Sequence, residues 1–324
     1  MPSLKEIKNR IASVQSTRKI TSAMKMVASS KLHHAQVAIQ NMLPYENLLE
    51  HILKSFLLSA PEDAKTILST ERKELKAVAL VVYSSNSSLC GGYNNNVIRM
   101  MQKAIDGYKA QGISNITIYP IGRKVAEKVR KLGYKPAGDF IELADKPNAA
   151  DCKSIAEELT KKYMNHEVDK VELIYHHFKS AGSQVLTRRT FLPIDLSTEN
   201  IGAYNDRDLS SNMATAKAQA YLRENGRQRN QASDEPKAFL DDFIVEPDLV
   251  TVLKSLIPKL LDLMIYTALL DSNASEHAAR MVAMQTATDN ADELLKDLNL
   301  EYNKSRQTAI TNELLDIVGG SVNN

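Results

Sequence analysis

The residues whose types and spacing could support chemistry start with a glycine-containing loop, Ser84–Gly92, which reads SSNSSLCGG. The loop follows an apolar run typical of a buried strand and precedes a segment with helical spacing, and backbone amides at such a junction often bind phosphate. It lacks the G-x-x-x-x-G-K-S/T pattern of nucleoside triphosphate loops and the G-x-G-x-x-G pattern of dinucleotide-binding loops. We therefore interpret it as a tight turn or as a contact surface with another subunit.

The other reactive side chains do not form a catalytic arrangement. Cys90 lies in the loop without a base that would activate it as a nucleophile. The adjacent histidines at 33–34 and at 176–177 point in different directions on a helix or strand, and no residues have zinc-ligand spacing. Asp241 and Asp242 lie in a polar turn, where solvated carboxylates are typical. We expect no catalytic residue, no metal and no cofactor.

A set of polar side chains also accompanies an apolar cluster near the end of the chain. The polar residues are Arg306, Gln307, Thr311 and Glu313, and the apolar ones are Ile310, Leu314, Leu315, Ile317 and Val318. On a helix the apolar set covers most of the circumference, which is typical of a helix end enclosed by protein. Because a hydrogen bond to a charged group contributes about 1.5–3 kcal/mol, the polar set could hold a partner subunit in one rotational state and release it in another. Two alternatives stay open, an exposed helix face and a tail that folds back on its own domain.

A long helix has to position these side chains. Residues 273–318 contain neither Gly nor Pro, so one uninterrupted helix is expected, about 65–70 Å long at about 1.5 Å per residue. Steps of three and four residues define an apolar seam of the kind that two helices share in a coiled coil. The seam residues are Met281, Met284, Thr288, Ala291, Leu295, Leu298, Tyr302, Ser305 and Ala309.

The start of the chain supplies the natural partner helix. It is predicted from Ser3 to about Met42, with Ser3 and Glu6 as a capping box. Residues 1–31 carry a net charge of +6 and residues 273–318 a net charge of −4, which favours pairing of the two helices over self-association. A membrane-surface helix is the rival interpretation, but no large aromatic residue precedes Tyr45. The apolar stripe is Leu4, Ile7, Ile11, Val14, Ile20, Met24, Val27, Leu32, Ala35, Ile39 and Met42.

The middle of the chain alternates strand and helix patterns. Ten of the 12 glycines lie between Gly91 and Gly226, which indicates that this part is rich in turns. We predict strands at 77–83, 116–119, 140–143, 170–178 and 184–192, and helices at 94–110, 123–132 and 149–164. This alternation is typical of an α/β domain with a mostly parallel sheet. A further helix is expected from near Asp248 through Leu270, kinked at Pro258, and Pro44 is expected to break or kink the N-terminal helix.

Composition sets the limits of these interpretations. The 324 residues are 43% hydrophobic and 25% charged with a formal net charge of +2, which is typical of a globular chain and argues against a general nucleic-acid binder. No apolar run approaches the ~20 residues of a membrane span, and two cysteines give no disulfide framework. We expect an N-terminal coiled-coil helix (1–60), an inserted α/β domain (75–195), a polar excursion (196–245) and C-terminal coiled-coil helices (246–324).

Several motifs point to one known family. They are the opening KEIKNRIASVQSTRKITSAMKMVASSK, the loop LCGGYN, the tripeptide EPD at 246–248, and the C-terminal ASEHAARMVAMQTATDNA and YNKSRQTAITNELLDIVGG. Over nearly its whole length the chain resembles the gamma subunits of F-type ATP synthases. It departs from that family where Asn86, Ser87 and Ser88 stand in place of an acidic residue, a basic residue and glycine.

The resemblance implies a long antiparallel coiled coil of the N- and C-terminal helices with an inserted Rossmann-like α/β domain. It implies the central-stalk rotor of a proton-translocating F-type ATP synthase, which transmits torque between the membrane c ring and the catalytic hexamer. The implied partners are the alpha and beta subunits, the epsilon subunit and the c-subunit ring, with no nucleic acid. The implied location is peripheral, at the cytoplasmic face of the bacterial plasma membrane.

The resemblance also implies contact residues. Those facing the alpha/beta hexamer are Met24, Lys25, Arg306, Gln307, Ile310, Thr311, Glu313, Leu314 and Ile317. Those of the stalk-base contact loop are Leu89, Cys90, Gly91 and Gly92. Two other classes of function stay open. A self-contained enzyme built on the α/β domain would bind a nucleotide or phosphate by itself, and a static coiled-coil scaffold would work with its partner contacts frozen.

Overall fold

The computed structural model describes residues 3–59, 72, 74–194, 245–246 and 248–322. These residues form six helices and four strands. The helices are α1 (Leu4–Ser59), α2 (Tyr93–Ala110), α3 (Arg123–Lys131), α4 (Ile141–Asp145), α5 (Ala149–Met164) and α6 (Leu249–Val322). The strands are β1 (Ala77–Tyr83), β2 (Asn115–Ile121), β3 (Lys170–Ser180) and β4 (Ser183–Leu192). Most of the predicted excursion at 196–245, with Asp241 and Asp242, lies outside the described residues.

The chain divides into two compact units. The helical unit contains residues 1–28 and 280–324, and the sheet unit contains residues 29–279. Helices α1 and α6 contribute residues to both units. The two units are described separately below.

In the helical unit, α1 and α6 pair as an antiparallel coiled coil. Arg18 forms an ion pair with Asp292, and the hydroxyls of Thr21 and Thr288 share a hydrogen bond of 2.8 Å. The partner of the later residue on α1 is thus the earlier residue on α6, which defines the antiparallel direction. All nine seam positions predicted on α6 are buried or partly buried, so the seam is confirmed. The capping box is confirmed as well, since Ser3 N donates to Glu6 Oε2 at 2.8 Å and Glu6 N donates to Ser3 Oγ at 3.3 Å.

The seam predicted on α1 was wrong at two positions. Ile20 and Val27 are 60% and 58% exposed, whereas Thr21 is partly buried and Ala28 is buried. Counting from Ile7 in steps that average 3.5 residues leads to positions 21 and 28. A shift of one residue turns a side chain by about 100° around a helix, which is enough to move it off the seam.

The sheet unit is a four-stranded mixed sheet in the order β2-β1-β3-β4. Strand β1 is parallel to β2 and β3, and β4 is antiparallel to β3. Every residue of β1 is buried, as predicted for a strand covered on both faces. Val78, Leu80 and Val82 belong to one apolar cluster with residues of α2 and α3. Ala79, Val81 and Tyr83 belong to the other, with residues of α5 and α6.

The strand predicted at 140–143 was wrong. These residues start the short helix α4, in which Leu143 and Ala144 are buried. A segment of four residues, three of them apolar, is too short to distinguish the strand period from the helix period. Pro44 lies inside α1 and does not break that helix, and Pro258 lies inside α6, as predicted. A kink at either proline stays a prediction.

The start of β1 is fixed by one carboxylate. Asp169 Oδ2 accepts hydrogen bonds from the backbone amides of Lys76 and Ala77 at 2.8 and 3.0 Å, and its Oδ1 accepts one from Arg72 Nη1 at 2.6 Å. Burial opposes ionisation of this carboxyl, but the hydrogen bonds from Arg72 and the two amides outweigh it and lower its pKa. Asp169 therefore aligns the beginning of β1 with the beginning of β3.

We predict that Asp169→Asn destabilises the sheet unit by about 3 kcal/mol, because it leaves the Arg72 guanidinium without its charged partner. Chemical unfolding of the full chain, followed by circular dichroism, measures this loss. A lowered pKa means that the stabilisation is complete above the unfolded pKa of about 3.9 and is lost as the pH falls through the lower folded value. The difference between parent and variant should therefore shrink at acid pH. Asp106→Asn, on the exposed face of α2, is the control and should change stability little at any pH.

Candidate functional site

The end of α6 presents an exposed surface formed by Arg306, Gln307, Ile310, Thr311, Glu313 and Leu314, which we call the tip surface. The pairs at 18 and 292 and at 21 and 288 place Leu4, the first residue of α1, level with about Arg306. Beyond that point α6 has no partner from α1. Ile310 and Leu314 are accordingly 48% and 57% exposed, so no described residue encloses them. The side chain of Ile317 lies outside the described part of the structure.

The tip surface has two faces with different chemistry. At about 100° per residue, Arg306, Ile310 and Glu313 share one face of the helix. The second face, turned by about 100°, carries Gln307 and Leu314, with Thr311 further round. Thr311 Oγ1 donates to the carbonyl oxygen of Gln307 at 2.8 Å, so its hydroxyl is directed back onto its own helix. Within the described residues, neither Arg306 nor Glu313 forms an ion pair. Protein interfaces likewise combine apolar side chains at the centre with polar and charged ones at the rim.

The structure does not bring Met24 and Lys25 close to the tip surface. Extending the register of Thr21 with Thr288 places Lys25 level with about Met284. Ile310 lies 26 residues further along α6, or about 40 Å at about 1.5 Å per residue. Both Met24 and Lys25 are partly buried. They lie in a second region of the coiled coil, separate from the tip surface.

Sequence reasoning missed an exposed apolar stripe beside Met24. Ile20, Met24 and Val27 lie within about 60° of one another on α1, and Ile20 and Val27 point away from the coiled-coil seam. Exposed apolar side chains in a row are typical of an interaction surface. The signal was present in the sequence, since a strict 3.5-residue period places Ile20 and Val27 off the seam.

The glycine loop at 84–92 is fixed from within. Ser85 N donates to Asn94 Oδ1 at 3.1 Å, and Asn94 Nδ2 donates to Cys90 Sγ at 3.1 Å. Leu89, by contrast, is 59% exposed and has a positive φ of 67°. Gly91 and Gly92 are exposed as well, while Cys90 is buried. The loop thus presents Leu89 and the two glycines to the exterior.

The space beside this loop is too small for a phosphate group. A cavity of about 10 Å³ is lined by Tyr83, Ser84, Tyr93, Ile121, Ala144, Leu269, Ser272, Asn273 and Glu276. That volume fits about one water molecule. Glu276 would also repel an anion there. The loop and its surroundings therefore favour a contact surface over a phosphate site.

Asn86 explains how the loop tolerates its departure from the gamma-subunit pattern. Its Oδ1 accepts the first amide of α3, from Arg123 N, at 2.8 Å. Its Nδ2 donates to the carbonyl oxygen of Ile141 and to Asp145 Oδ2, both at 2.7 Å. Only a side chain with an acceptor and a donor satisfies all three partners. A carboxylate at position 86 would lack the donor and would face Asp145.

The side chains of Cys152, His176 and His177 lie in the packed interior of the sheet unit. Burial raises the pKa of the Cys152 thiol to about 12. Burial lowers the pKa of His176 to about 4, and its ring stacks on Tyr93 with the centroids 4.5 Å apart. His177 points the other way, with Nδ1 2.7 Å from Asp271 Oδ2. Among the described residues there is no group of three or more His, Cys, Asp or Glu side chains that could hold a metal ion.

Comparison with known proteins decides the family. The family described as "ATP synthase" matches residues 3–322. The ATP synthase gamma chain of Phocaeicola vulgatus is 52% identical over 322 residues, which cover 99% of this chain and 100% of that protein. This chain belongs to the ATP synthase gamma chain family. The gamma chain of Bacteroides fragilis is 49% identical, again with 99% and 100% of the two chains covered.

Solved structures share the fold. A chain of the central stalk and c ring of Tetrahymena thermophila mitochondrial ATP synthase has a TM-score of 0.52 and 23% identity, covering 83% of this chain and 99% of that one. A rotor chain of the Euglena gracilis mitochondrial ATP synthase has a TM-score of 0.56 and 17% identity, covering 95% and 98%. In the described part of this gamma-family chain, no helix is long and apolar enough to cross a membrane.

We predict that Asn86→Asp lowers the stability of the sheet unit by about 1 kcal/mol, since it removes a donor and places two carboxylates together. The double variant Asn86→Asp, Asp145→Asn should recover most of the loss, because the amide introduced at position 145 would supply a donor to the new carboxylate. Thermal unfolding of parent, single variants and double variant gives the coupling energy. Additive effects of the two substitutions would contradict the assigned contact.

Proposed function

We propose that this chain is the central-stalk rotor subunit of a proton-translocating F-type ATP synthase and has no active site of its own. Membership of the gamma chain family supports the assignment. The observation that carries it is the tip surface, an exposed face of apolar and charged side chains at the end of a helix whose partner has ended. A surface of this kind gains most when it is enclosed by other subunits.

At the tip, the proposed partners are the alpha and beta subunits of the catalytic hexamer. Arg306, Gln307, Thr311 and Glu313 provide charge and hydrogen bonds, and Ile310, Leu314 and Ile317 provide apolar contact. Met24 and Lys25, with the exposed stripe of α1, form a second set of contacts about 40 Å away along the coiled coil. As the tip turns, each beta subunit meets a different face of α6, which biases its nucleotide site among open and closed states.

For the sheet unit, the proposed partners are the epsilon subunit and the c-subunit ring, met through the loop at Leu89–Gly92. The loop suits such a contact because its polar groups are satisfied internally while Leu89 is exposed. Through the c ring the chain would be held at the cytoplasmic face of the bacterial plasma membrane. ATP synthesis and hydrolysis would take place on the other subunits.

A rotor has to carry torque along its length. One proton crossing 100 mV supplies about 2.3 kcal/mol, so several protons per ATP load the stalk with a multiple of that energy. Helix α6 is continuous from Leu249 to Val322, and in the helical unit it is paired with α1 over the seam. Two paired helices resist twisting better than a single one, which suits the coiled coil to this task.

Two other functions remain as alternatives to be tested. A self-contained enzyme would need a ligand site in the sheet unit, and the cavity beside the glycine loop measures only about 10 Å³. Binding of nucleotide by the isolated chain would favour it. A static scaffold would need the same contacts without rotation, so only an experiment that blocks movement separates it from a rotor.

We predict that Ile310→Asp weakens the contact of the tip surface with the alpha and beta subunits without unfolding the chain. Ile310 is about half exposed, so the free energy of unfolding of the isolated chain should stay within about 0.5 kcal/mol of the parent value in a thermal unfolding measurement. In the alpha, beta and gamma assembly, an aspartate in an enclosed apolar contact should reduce ATP hydrolysis several-fold, because burying an unpaired charge is costly. Leu132→Asp, a partly exposed apolar residue after α3, is the control and should leave turnover unchanged. Unchanged turnover with Ile310→Asp would argue against a contact at the tip.

We further predict that a reversible disulfide between Thr311→Cys and a cysteine placed in the facing region of the beta subunit stops turnover. Cys90 and Cys152 are both buried, which favours reaction at the introduced pair. ATP hydrolysis by the assembly should fall on oxidation and return on reduction if relative motion is required. Full turnover with the link shown to be formed would instead indicate a scaffold, or rotation confined to another part of the stalk.

A further inference from the structure

Within the sheet unit, α6 contains a stretch, residues 267–278, in which every residue is buried. A helix enclosed on all sides is ordinarily apolar all round. This stretch nevertheless carries the polar residues Thr267, Asp271, Ser272, Asn273, Ser275, Glu276 and His277. Buried polar groups are retained without large cost only where they form hydrogen bonds, so the contacts here are directional.

Strand β3 holds one side of this stretch. His177 Nδ1 lies 2.7 Å from Asp271 Oδ2, and both side chains are almost completely buried. One turn further along, Ser275 Oγ donates to the backbone carbonyl oxygen of His176 at 3.2 Å. Asp271 and Ser275 are separated by four residues, so they lie on the same side of α6.

Two other elements hold the remaining sides. The hydroxyl of Tyr93, the first residue of α2, donates to the carbonyl oxygen of Ser272 at 3.0 Å and shares a second hydrogen bond with Ser272 Oγ at 2.5 Å. Asn273 Nδ2 donates to the carbonyl oxygen of Ala144 in α4 at 2.8 Å. We call this set of contacts from β3, α2 and α4 the polar collar.

The polar collar surrounds more than half of α6. At about 100° per residue, taking Asp271 as zero, Ser275 lies at about 40°, Ser272 at about 100° and Asn273 at about 200°. All four lie within about 6 Å along the helix axis. A ring of bonds from three elements at nearly one height fixes a helix against rotation, whereas bonds from one side would leave it free to roll.

The neighbouring contacts of α6 in the same unit are of another kind. From Leu253 to Leu269 its buried side chains other than Thr267 belong to an apolar cluster with the sheet and α5. One directional contact accompanies this cluster, the hydrogen bond of 3.1 Å that the Tyr83 hydroxyl donates to the carbonyl oxygen of Ile265, and it holds α6 from one side only. Apolar burial is strong but has no preferred direction, so such contacts resist separation better than they resist turning. Among these described contacts, the polar collar is therefore the part best suited to resist rotation of α6.

We infer that the polar collar is the connection through which torque passes between the α/β sheet unit and α6. The inference rests on the rotor function proposed above and adds to it the place where rotation of the sheet unit becomes rotation of the helix. Loss of the collar should let α6 turn within the unit under load. Catalysis by the hexamer without load should be unaffected.

The test compares two variants of the full chain, each assembled with its partner subunits. The collar variant is Tyr93→Phe, His177→Phe, Asp271→Leu, which removes one tyrosine hydroxyl and one buried acid–base pair and replaces them with apolar groups of similar size. The matched control is Tyr119→Phe, Glu172→Leu, Arg188→Met. It also removes one tyrosine hydroxyl and one ion pair from the sheet unit, but these contact α5 and β4 instead of α6.

The readout is torsional stiffness in single assemblies. A bead is attached to biotin on Met164→Cys, at the 51% exposed end of α5, and the hexamer is fixed to the surface. Cys90 and Cys152 are buried, which favours labelling at the introduced residue. We expect stiffness to fall at least twofold in the collar variant, with fewer protons pumped per ATP in vesicles and with unloaded ATP hydrolysis unchanged. The control should match the parent in torsional stiffness, in protons pumped per ATP and in unloaded ATP hydrolysis.

Equal stiffness in the collar variant and the parent, or an equal loss in both variants, would overturn the inference. If the triple variant does not fold, Tyr93→Phe alone is used in its place. We then expect a smaller but measurable fall in stiffness, and an unchanged stiffness would again overturn the inference. Failure of the proposed rotor function can be distinguished from failure of this inference. In that case the bead on the parent chain would not rotate with ATP, whatever the variants do.

Discussion

A long helix with a narrow apolar seam is stable only if it shares that seam. This constraint governs α1 and α6 in the helical unit, where small or polar residues such as Thr288 and Ser305 dilute the apolar positions. Each buried methylene contributes about 0.8 kcal/mol, so a seam of this composition gains modestly per turn. The register is then set by directional contacts, the hydrogen bond between Thr21 and Thr288 and the ion pair of Arg18 with Asp292. An exposed ion pair adds about 1 kcal/mol at most, which selects a partner without making the pair rigid by itself.

The same constraint divides α6 into stretches with different environments. From Leu253 to Leu269 it packs by apolar contact, from 271 to 275 it is held by the polar collar, and from Met281 onward one stripe faces α1. Beyond about Arg306, no described residue of α1 lies level with it. Each change in environment is matched by a change in side-chain chemistry. The exposed apolar residues after Ala309 are therefore not an extension of the seam, because no described residue of α1 reaches them.

Long-period features could be predicted from the sequence, and short or long-range ones could not. The α6 seam, the capping box at Ser3 and the parallel sheet follow from patterns repeated over many residues. The helix at 141–145 was missed because a segment of four residues, three of them apolar, is too short to show a period. The offset of Ile20 was missed because its apolar side chain fits a loose spacing of three and four residues but not a fixed 3.5-residue period. The pairing of His177 with Asp271 joins residues 94 positions apart, and no local sequence pattern predicts a contact over that separation. The functional roles of the contact residues rest on the family resemblance and stay predictions.

The tip surface shows why the end of α1 matters for a rotor. A symmetric pair of helices would present similar faces in opposite directions, whereas a single helix presents a different face at every angle. On α6 the face of Arg306, Ile310 and Glu313 is turned by about 100° from that of Gln307 and Leu314. If the tip stands in the alpha/beta hexamer, as proposed above, three beta subunits related by rotations of about 120° would each meet a face of different charge and polarity. A ligand or partner shifts a conformational equilibrium only through differential contacts with its states. Ending the coiled coil before the tip supplies that difference without any change in the shape of α6 itself.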